Sequence, residues 1–216
     1  MASDGFFQKI VTSEAALREV LGYPSERAVG KQRPSLDKHC RAFIERSPFL
    51  VLGTSDAAGN CDVSPKGDPP GFVHVLDDKH LIIPDRPGNR RLDGLRNILE
   101  NPHVAMIFFV PGRGETLRVN GRAWIVEDED LLEPLAVEGK RPKFGIGVEV
   151  EEVFLHCPKA LMRSCLWDPD RQANEDTLPS MSRVIWEQLP VKPQGFANAD
   201  EYERDSQQRL KEQGLY

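Results

Sequence analysis

Arginine is concentrated in one short stretch of this acidic chain. The segment Ile83–Asn97, IPDRPGNRRLDGLRN, holds four arginines in fifteen residues, although the chain has 34 acidic and 28 basic side chains and a net charge of −6. Guanidinium groups donate paired hydrogen bonds that match the oxygens of a phosphate or carboxylate. The stretch therefore predicts a site for a small anion; alternatively, it is a solvated loop whose arginines pair with Asp85 and Asp93.

The backbone expected around these arginines also favours an anion. Pro84 and Gly88 end a strand and shape a loop, and a helical pattern follows it. Asn89, Arg90 and Arg91 are then expected at the start of that helix, where free backbone N–H groups and the positive end of the dipole attract anions. The stretch is neither a Walker loop nor a glycine-rich dinucleotide motif.

Two other stretches carry polar groups at the spacing of a strand. Val63–Gly67, VSPKG, ends an apolar strand with a hydroxyl, an ammonium group and a glycine. Thr116, Arg118 and Asn120 alternate with apolar residues and so share one face of their strand. This polar row either lines a small barrel, where it would suit a heteroaromatic ligand, or faces water.

The segment from His156 to Trp167, HCPKALMRSCLW, contains a further cation and an indole. If it is helical, Arg163 and Trp167 lie four residues apart on one face; packing of Trp167 without a ligand is the other interpretation. Because His156 and Cys157 are adjacent, they would point to opposite faces of a strand and cannot easily act as a nucleophile and base.

Composition and charge exclude several function classes. The acidic balance argues against binding of nucleic acids or anionic membranes, which favour a basic face. No apolar run is long enough to span a membrane, and the N-terminus does not have the pattern of a secretory signal, so a cytoplasmic protein is expected. The four cysteines lack the spacing of a zinc site, and no metal is predicted.

Short strands joined by tight turns, with one helix inserted midway, predict a mainly β fold: a six-stranded antiparallel barrel with flanking helices. Gly121 is expected to mark a bulge or bend in its strand. The predicted organisation is a helical segment over residues 1–47, a barrel over 48–167 and a helical extension over 168–216. The strands are expected in these runs: Phe49–Thr54, Cys61–Pro65, Phe72–Leu76, His80–Ile83, His103–Val110, Glu115–Val126 and Ile146–His156.

The motifs together resemble the pyridoxamine 5'-phosphate oxidase-like superfamily of FMN-binding split barrels. The resemblance runs from about Leu36 to Trp167 and rests on SPKGD, PDRPGNRR, GETLRVNGRAWI and HCPKALMRSCLW in this order. It is nearest to a branch of FMN-dependent enzymes whose substrate is unassigned. It implies a homodimer with FMN in clefts between the subunits.

The resemblance also implies roles for single residues. Arg90 and Arg91 fall on the pair that holds the FMN phosphate, and Thr116 stands where those oxidases have glutamine. Cys61 and Asp62 depart from the family, which begins that strand with an arginine. The cofactor contacts predicted from the pattern and the resemblance are Val63, Ser64, Lys66, Pro84, Asp85, Arg86, Asn89, Arg90, Arg91, Thr116, Arg118, Arg163 and Trp167.

The expected function is therefore that of an FMN-dependent oxidoreductase with an unassigned small-molecule substrate or nicotinamide electron donor. The flavin supplies the redox chemistry, so no catalytic side chain is predicted. The alternatives are a module that carries FMN without turnover, and a related split barrel that uses haem or a deazaflavin. Arg163 and Trp167 would reach the cofactor from the partner subunit.

Overall fold

A seven-stranded antiparallel sheet forms the centre of the computed structural model, which describes residues 5–172 and 177–213. The strands lie side by side in the order β2-β1-β5-β6-β7-β4-β3. Their bounds are β1 Phe49–Ser55, β2 Cys61–Gly67, β3 His74–Val75, β4 His80–Pro84, β5 His103–Phe109, β6 Thr116–Val126 and β7 Gly145–His156. The helices are α1 Glu14–Leu21, α2 Glu26–Gly30, α3 Lys38–Arg46, α4 Asp93–Glu100, α5 Glu129–Leu132, α6 Lys159–Ser164, α7 Met181–Gln188 and α8 Ala199–Gln213.

This architecture confirms the predicted mainly β split-barrel fold with flanking helices, but the count of six strands is wrong. The seventh is β3, whose two residues pair with Ile82 and Leu81 of β4. Over the described part of the chain the sheet is not closed, because its edge strands β2 and β3 do not pair with each other. The opening between the two edges is the split of the barrel.

The main hydrophobic core packs on one side of the sheet, and a smaller cluster of Ile82, Leu132 and Leu135 lies apart from it. Alternate residues of the central strands are fully buried there, as the period of two along a strand requires. Leu50 and Leu52 of β1 and Met106 and Phe108 of β5 are all at most 1% exposed. Ile44 of α3 and Ile98 of α4 pack onto the same core. None of the helices in the described residues is long and apolar enough to cross a membrane.

The predicted irregularity at Gly121 is confirmed. The register between β6 and β7 shifts between Asn120 and Gly121, as in a β-bulge. A Cβ atom at position 121 would lie 2.0 Å from the carbonyl oxygen of Glu149. Only glycine lets the two strands approach this closely, so the bulge sets how β6 and β7 bend around the core.

The segments outside the sheet are mostly helical. Helix α1 begins after Ser13, whose hydroxyl is its cap and accepts from the Ala16 backbone N–H over 3.3 Å. The sequence does not predict α2, because five residues are too few to show a helical period. In the C-terminal region α7 and α8 pack together through Trp186 and Tyr202, whose rings are 5.8 Å apart.

Candidate functional site

A cavity of about 400 Å³ lies between the end of β2 and the loop that follows β4, a boundary that we call the seam. One wall is the end of β2 and the other is the loop that follows β4. The residues lining it are Ser64, Pro65, Lys66, Gly67, Phe72, Pro84, Arg86, Pro87, Gly88 and Asn89. The structure therefore brings together five of the residues predicted to contact a cofactor, from two stretches about twenty residues apart in sequence.

Two ion pairs tie these walls together. The ammonium group of Lys66 on β2 lies 3.6 Å from the carboxylate of Asp85, and the Arg86 guanidinium Nε donates to Asp68 over 2.6 Å. The Asp68 side chain is 1% exposed and that of Arg86 17% exposed. Burial makes the Arg86–Asp68 pair hard to break, since either group alone would be a desolvated charge. Arg86 thus serves as a clamp on the seam.

The arginine-rich loop differs in one respect from the sequence prediction. Asn89, Arg90 and Arg91 do not begin the helix, because α4 starts only at Asp93, after Leu92. Both Arg90 and Leu92 have positive φ, of 61° and 63°, which is the left-handed region. Non-glycine residues in this region carry strain that is concentrated at functional sites.

The cations of this loop are paired to different degrees. Arg91 donates to Asp93 over 2.7 Å, and this hydrogen bond raises the pKa of Arg91, to which the Asp62 carboxylate also contributes. The Asn89 side-chain oxygen accepts from the Arg91 backbone N–H over 3.1 Å. Within residues 5–172 and 177–213, the Arg90 side chain has no hydrogen bond or ion pair. Arg90 is therefore the cation most available to a ligand.

Side-chain amides attach helix α4 to the neighbouring strands. The sequence does not predict these hydrogen bonds. The Asn97 amide on α4 donates to the Thr54 hydroxyl over 3.1 Å and to the Asp62 carboxylate over 2.9 Å. One turn later, Asn101 donates to Ser55 over 2.8 Å. The signal that could have revealed them is the spacing of the two asparagines, four residues apart, with Asn97 on the helix and Asn101 directly after its last residue.

Other predicted contacts lie outside this cavity. Val63 does not line the cavity, and it is 71% exposed. Thr116 and Arg118 lie on β6 on the side opposite the core, so the polar row is the outer one. Thr116 is buried there, and Arg118 pairs with Glu152 over 2.9 Å. Their role as cofactor contacts stays a prediction.

Arg163 and Trp167 do not share a helix face, contrary to expectation. Helix α6 ends at Ser164, and Cys165, with φ of 52°, turns the chain before Trp167. Arg163 is exposed, whereas the Trp167 indole N–H donates to the carbonyl of Arg113 over 2.7 Å. This contact attaches the end of the barrel segment to the turn between β5 and β6.

The seam has the chemical make-up that a phosphate-bearing aromatic ligand needs. Ser64, Lys66 and Asn89 offer a hydroxyl, an ammonium and an amide, while the ring of Phe72 and three prolines supply apolar surface. Arg90 stands next to the lining residue Asn89. A flavin mononucleotide combines a flat ring system with a terminal phosphate, so the donor set fits this group.

Comparison with known proteins identifies a family. The family model described as pyridoxamine 5'-phosphate oxidase matches residues 36–157. No curated protein matches the chain.

Similar solved structures cover the same part of the chain. HupZ from Group A Streptococcus is 22% identical, with a TM-score of 0.45, and covers 56% of this chain and 93% of its own. An FMN-binding protein from Syntrophomonas wolfei is 11% identical, with a TM-score of 0.40, covering 53% and 86%. An F420 reductase is 21% identical, with a TM-score of 0.40, covering 56% and 98%.

Proposed function

We propose that this chain, which belongs to the pyridoxamine 5'-phosphate oxidase family, binds FMN in the seam and acts as an FMN-dependent oxidoreductase. One observation carries the proposal: the cavity joins donors from β2 with the arginine-rich loop after β4. Bound FMN would supply hydride-transfer chemistry that protein side chains do not have. The substrate is a small molecule or a nicotinamide electron donor.

The residues of the seam have separate tasks in this proposal. Arg90 and Arg91 hold the phosphate by charge-assisted hydrogen bonds, with Asn89 ordering the loop between them and the cavity. Lys66 and Ser64 line the wall that meets the ring system. Arg86 keeps the two walls together and does not need to touch the ligand.

Exposed apolar side chains on the sheet support a homodimer, the second part of the proposal. Val63 is 71% exposed, Trp124 46% and Leu155 40%, and each lies on a strand of the barrel. Large apolar groups on strands gain stability when a partner covers them. A partner subunit is also how Arg163 and Trp167 would reach the cofactor.

Flavin binding can be tested with two ligands and two variants. FMN and riboflavin differ only in the phosphate, so titration of each, followed by flavin fluorescence, separates contacts to the phosphate from contacts to the ring. Arg90→Ala should weaken FMN roughly 10- to 100-fold, the cost of one charge-assisted hydrogen bond, and leave riboflavin unchanged. Arg96→Ala is the matched control, because Arg96 is exposed on α4 and its loss removes the same charge.

The outcomes separate the candidate functions. Protein that binds neither flavin refutes the proposal, and equal effects of Arg90→Ala and Arg96→Ala refute the role of Arg90. Bound FMN that nicotinamide cofactors and a metabolite panel fail to reduce would identify a carrier. A visible spectrum of haem or of a deazaflavin in the purified protein would replace FMN by that cofactor.

A further inference from the structure

The outer face of β6 and β7 carries two rows of side chains that pair residue for residue, and all of them except Phe154 are polar. The pairs are Thr116 with His156, Arg118 with Phe154, and Asn120 with Glu152. The alternate residues Leu117, Val119 and Val153 point into the core. The six side chains therefore share the face that looks away from the core, and none of them lines the seam cavity.

Phe154 is the centre of this face. The guanidinium of Arg118 lies 4.3 Å from the centroid of the Phe154 ring, and the ammonium of Lys31 lies 5.2 Å from it. The His156 imidazole packs on the same ring with centroids 4.8 Å apart. Lys31 is held in place because its ammonium donates to the carbonyl of Leu155 over 2.7 Å. Two cations and an imidazole thus gather around one apolar ring.

The carboxylate of Glu152 on this face already has hydrogen-bond donors within the protein. The Glu152 carboxylate accepts from Arg118 and from Asn120, each over 2.9 Å, and also from the Gln32 amide. In the part of the chain that the structure describes, Lys31 has no carboxylate partner. The Arg118 Nε is buried without an acceptor. One carboxylate against two permanent cations leaves a net positive charge with donor capacity unused.

We propose that Lys31, Arg118 and His156 form a second anion-binding site, for a small oxyanion such as the phosphate or carboxylate of a metabolite. Both cations lie within 5.2 Å of the centroid of the same ring, and in the proposed site both donate charge-assisted hydrogen bonds to one ligand. The Arg118 side chain is 36% exposed, so an ion from solvent can reach it. This site goes beyond the proposed flavin site, and gives Arg118 a role other than the predicted cofactor contact.

The imidazole of His156 provides a reporter inside the site. Burial lowers the pKa of His156, and the charges of Arg118 and Lys31 lower it further. A bound anion offsets these two charges and favours the imidazolium, so the pKa of His156 rises when the anion binds. His103 serves as an internal control, because it lies at the start of β5 and its ring contacts Asn101 instead.

The experiment measures the histidine pKa values by NMR, with phosphate, acetate or chloride at constant ionic strength. Phosphate or acetate should raise the pKa of His156 by about 0.5–1 unit relative to chloride, and leave His103 unchanged. In Lys31→Met the rise should be lost. Lys9→Met, which removes an exposed lysine elsewhere on the N-terminal segment, should retain it. No flavin is present, so the outcome does not depend on the proposed cofactor.

Two results would overturn the site. One is a pKa of His156 that neither anion moves; the other is the same rise in Lys31→Met as in the unchanged protein. Lys31→Arg keeps the charge, so it should retain the rise even if Lys31→Met perturbs the segment's attachment to β7.

Discussion

Replacement of Arg86 by methionine should destabilise the protein far more than the same replacement at Arg90. Methionine keeps the apolar stem of the side chain and removes the charge. At position 86 it leaves the Asp68 carboxylate, which is 1% exposed, without the guanidinium that lies 2.6 Å away. Removal of one partner of a buried pair costs about 3–5 kcal/mol, whereas an exposed, unpaired cation contributes within about 0.5 kcal/mol.

Urea unfolding followed by far-UV circular dichroism gives the free energy of unfolding for both variants. A second change, Asp68→Leu, in the Arg86→Met background should restore part of the loss, because it removes the buried carboxylate that has lost the guanidinium of Arg86. The stabilising role of the Arg86–Asp68 ion pair is refuted if Arg86→Met is as stable as Arg90→Met. It is also refuted if Asp68→Leu lowers the free energy of unfolding by the same amount in Arg86→Met as in the unchanged protein.

Three further outcomes are expected. Gly121→Ala should lower the free energy of unfolding in urea by about 3 kcal/mol or more, since its Cβ would lie 2.0 Å from a backbone carbonyl oxygen. Gly53→Ala is the control: its Cβ would have its nearest neighbour at 3.6 Å, so the free energy of unfolding should be nearly unchanged. Asp93→Asn should tighten FMN but not riboflavin in a fluorescence titration, because it frees Arg91 for the phosphate; equal effects on both ligands would contradict this role of Asp93. Burial lowers the pKa of His74 below its ordinary value of 6.5. The unfolded chain therefore binds more protons than the folded one, and the free energy of unfolding should fall as the pH decreases below 6.5. In unfolding experiments between pH 7 and 5, His74→Leu should make the free energy of unfolding depend less on pH.

Local signals predict most of the barrel correctly. The strands from Phe49, Cys61 and His103 begin where predicted, because apolar runs bounded by turn residues are a local property. The bulge at Gly121 is predictable because a glycine inside a strand often marks a bulge or a tight bend. Strand β3 lies inside the predicted run Phe72–Leu76 but is shorter than predicted, since only His74 and Val75 pair with β4.

The sequence predicts several residues of the site but not the ion pairs that Lys66 and Arg86 form there. The sequence places Lys66 and Arg86 twenty residues apart, and nothing local reveals that Asp85 and Asp68 cross the seam to meet them. The prediction that Asn89, Arg90 and Arg91 stand at the start of the helix is wrong, because α4 begins at Asp93. Instead, Leu92 takes a left-handed conformation, which sequence patterns do not predict for leucine.

Two ion pairs offset part of the positive charge in the arginine-rich segment. Arg86 has Asp68 and Arg91 has Asp93, so the repulsion among the arginines is reduced. In the proposed FMN site, binding of the phosphate would then be an exchange: the exposed Arg91–Asp93 pair is easily given up, whereas the buried Arg86 pair is not. The proposed affinity for the phosphate then depends on this difference in burial, and Arg90, which has no ion pair within the described residues, needs no exchange.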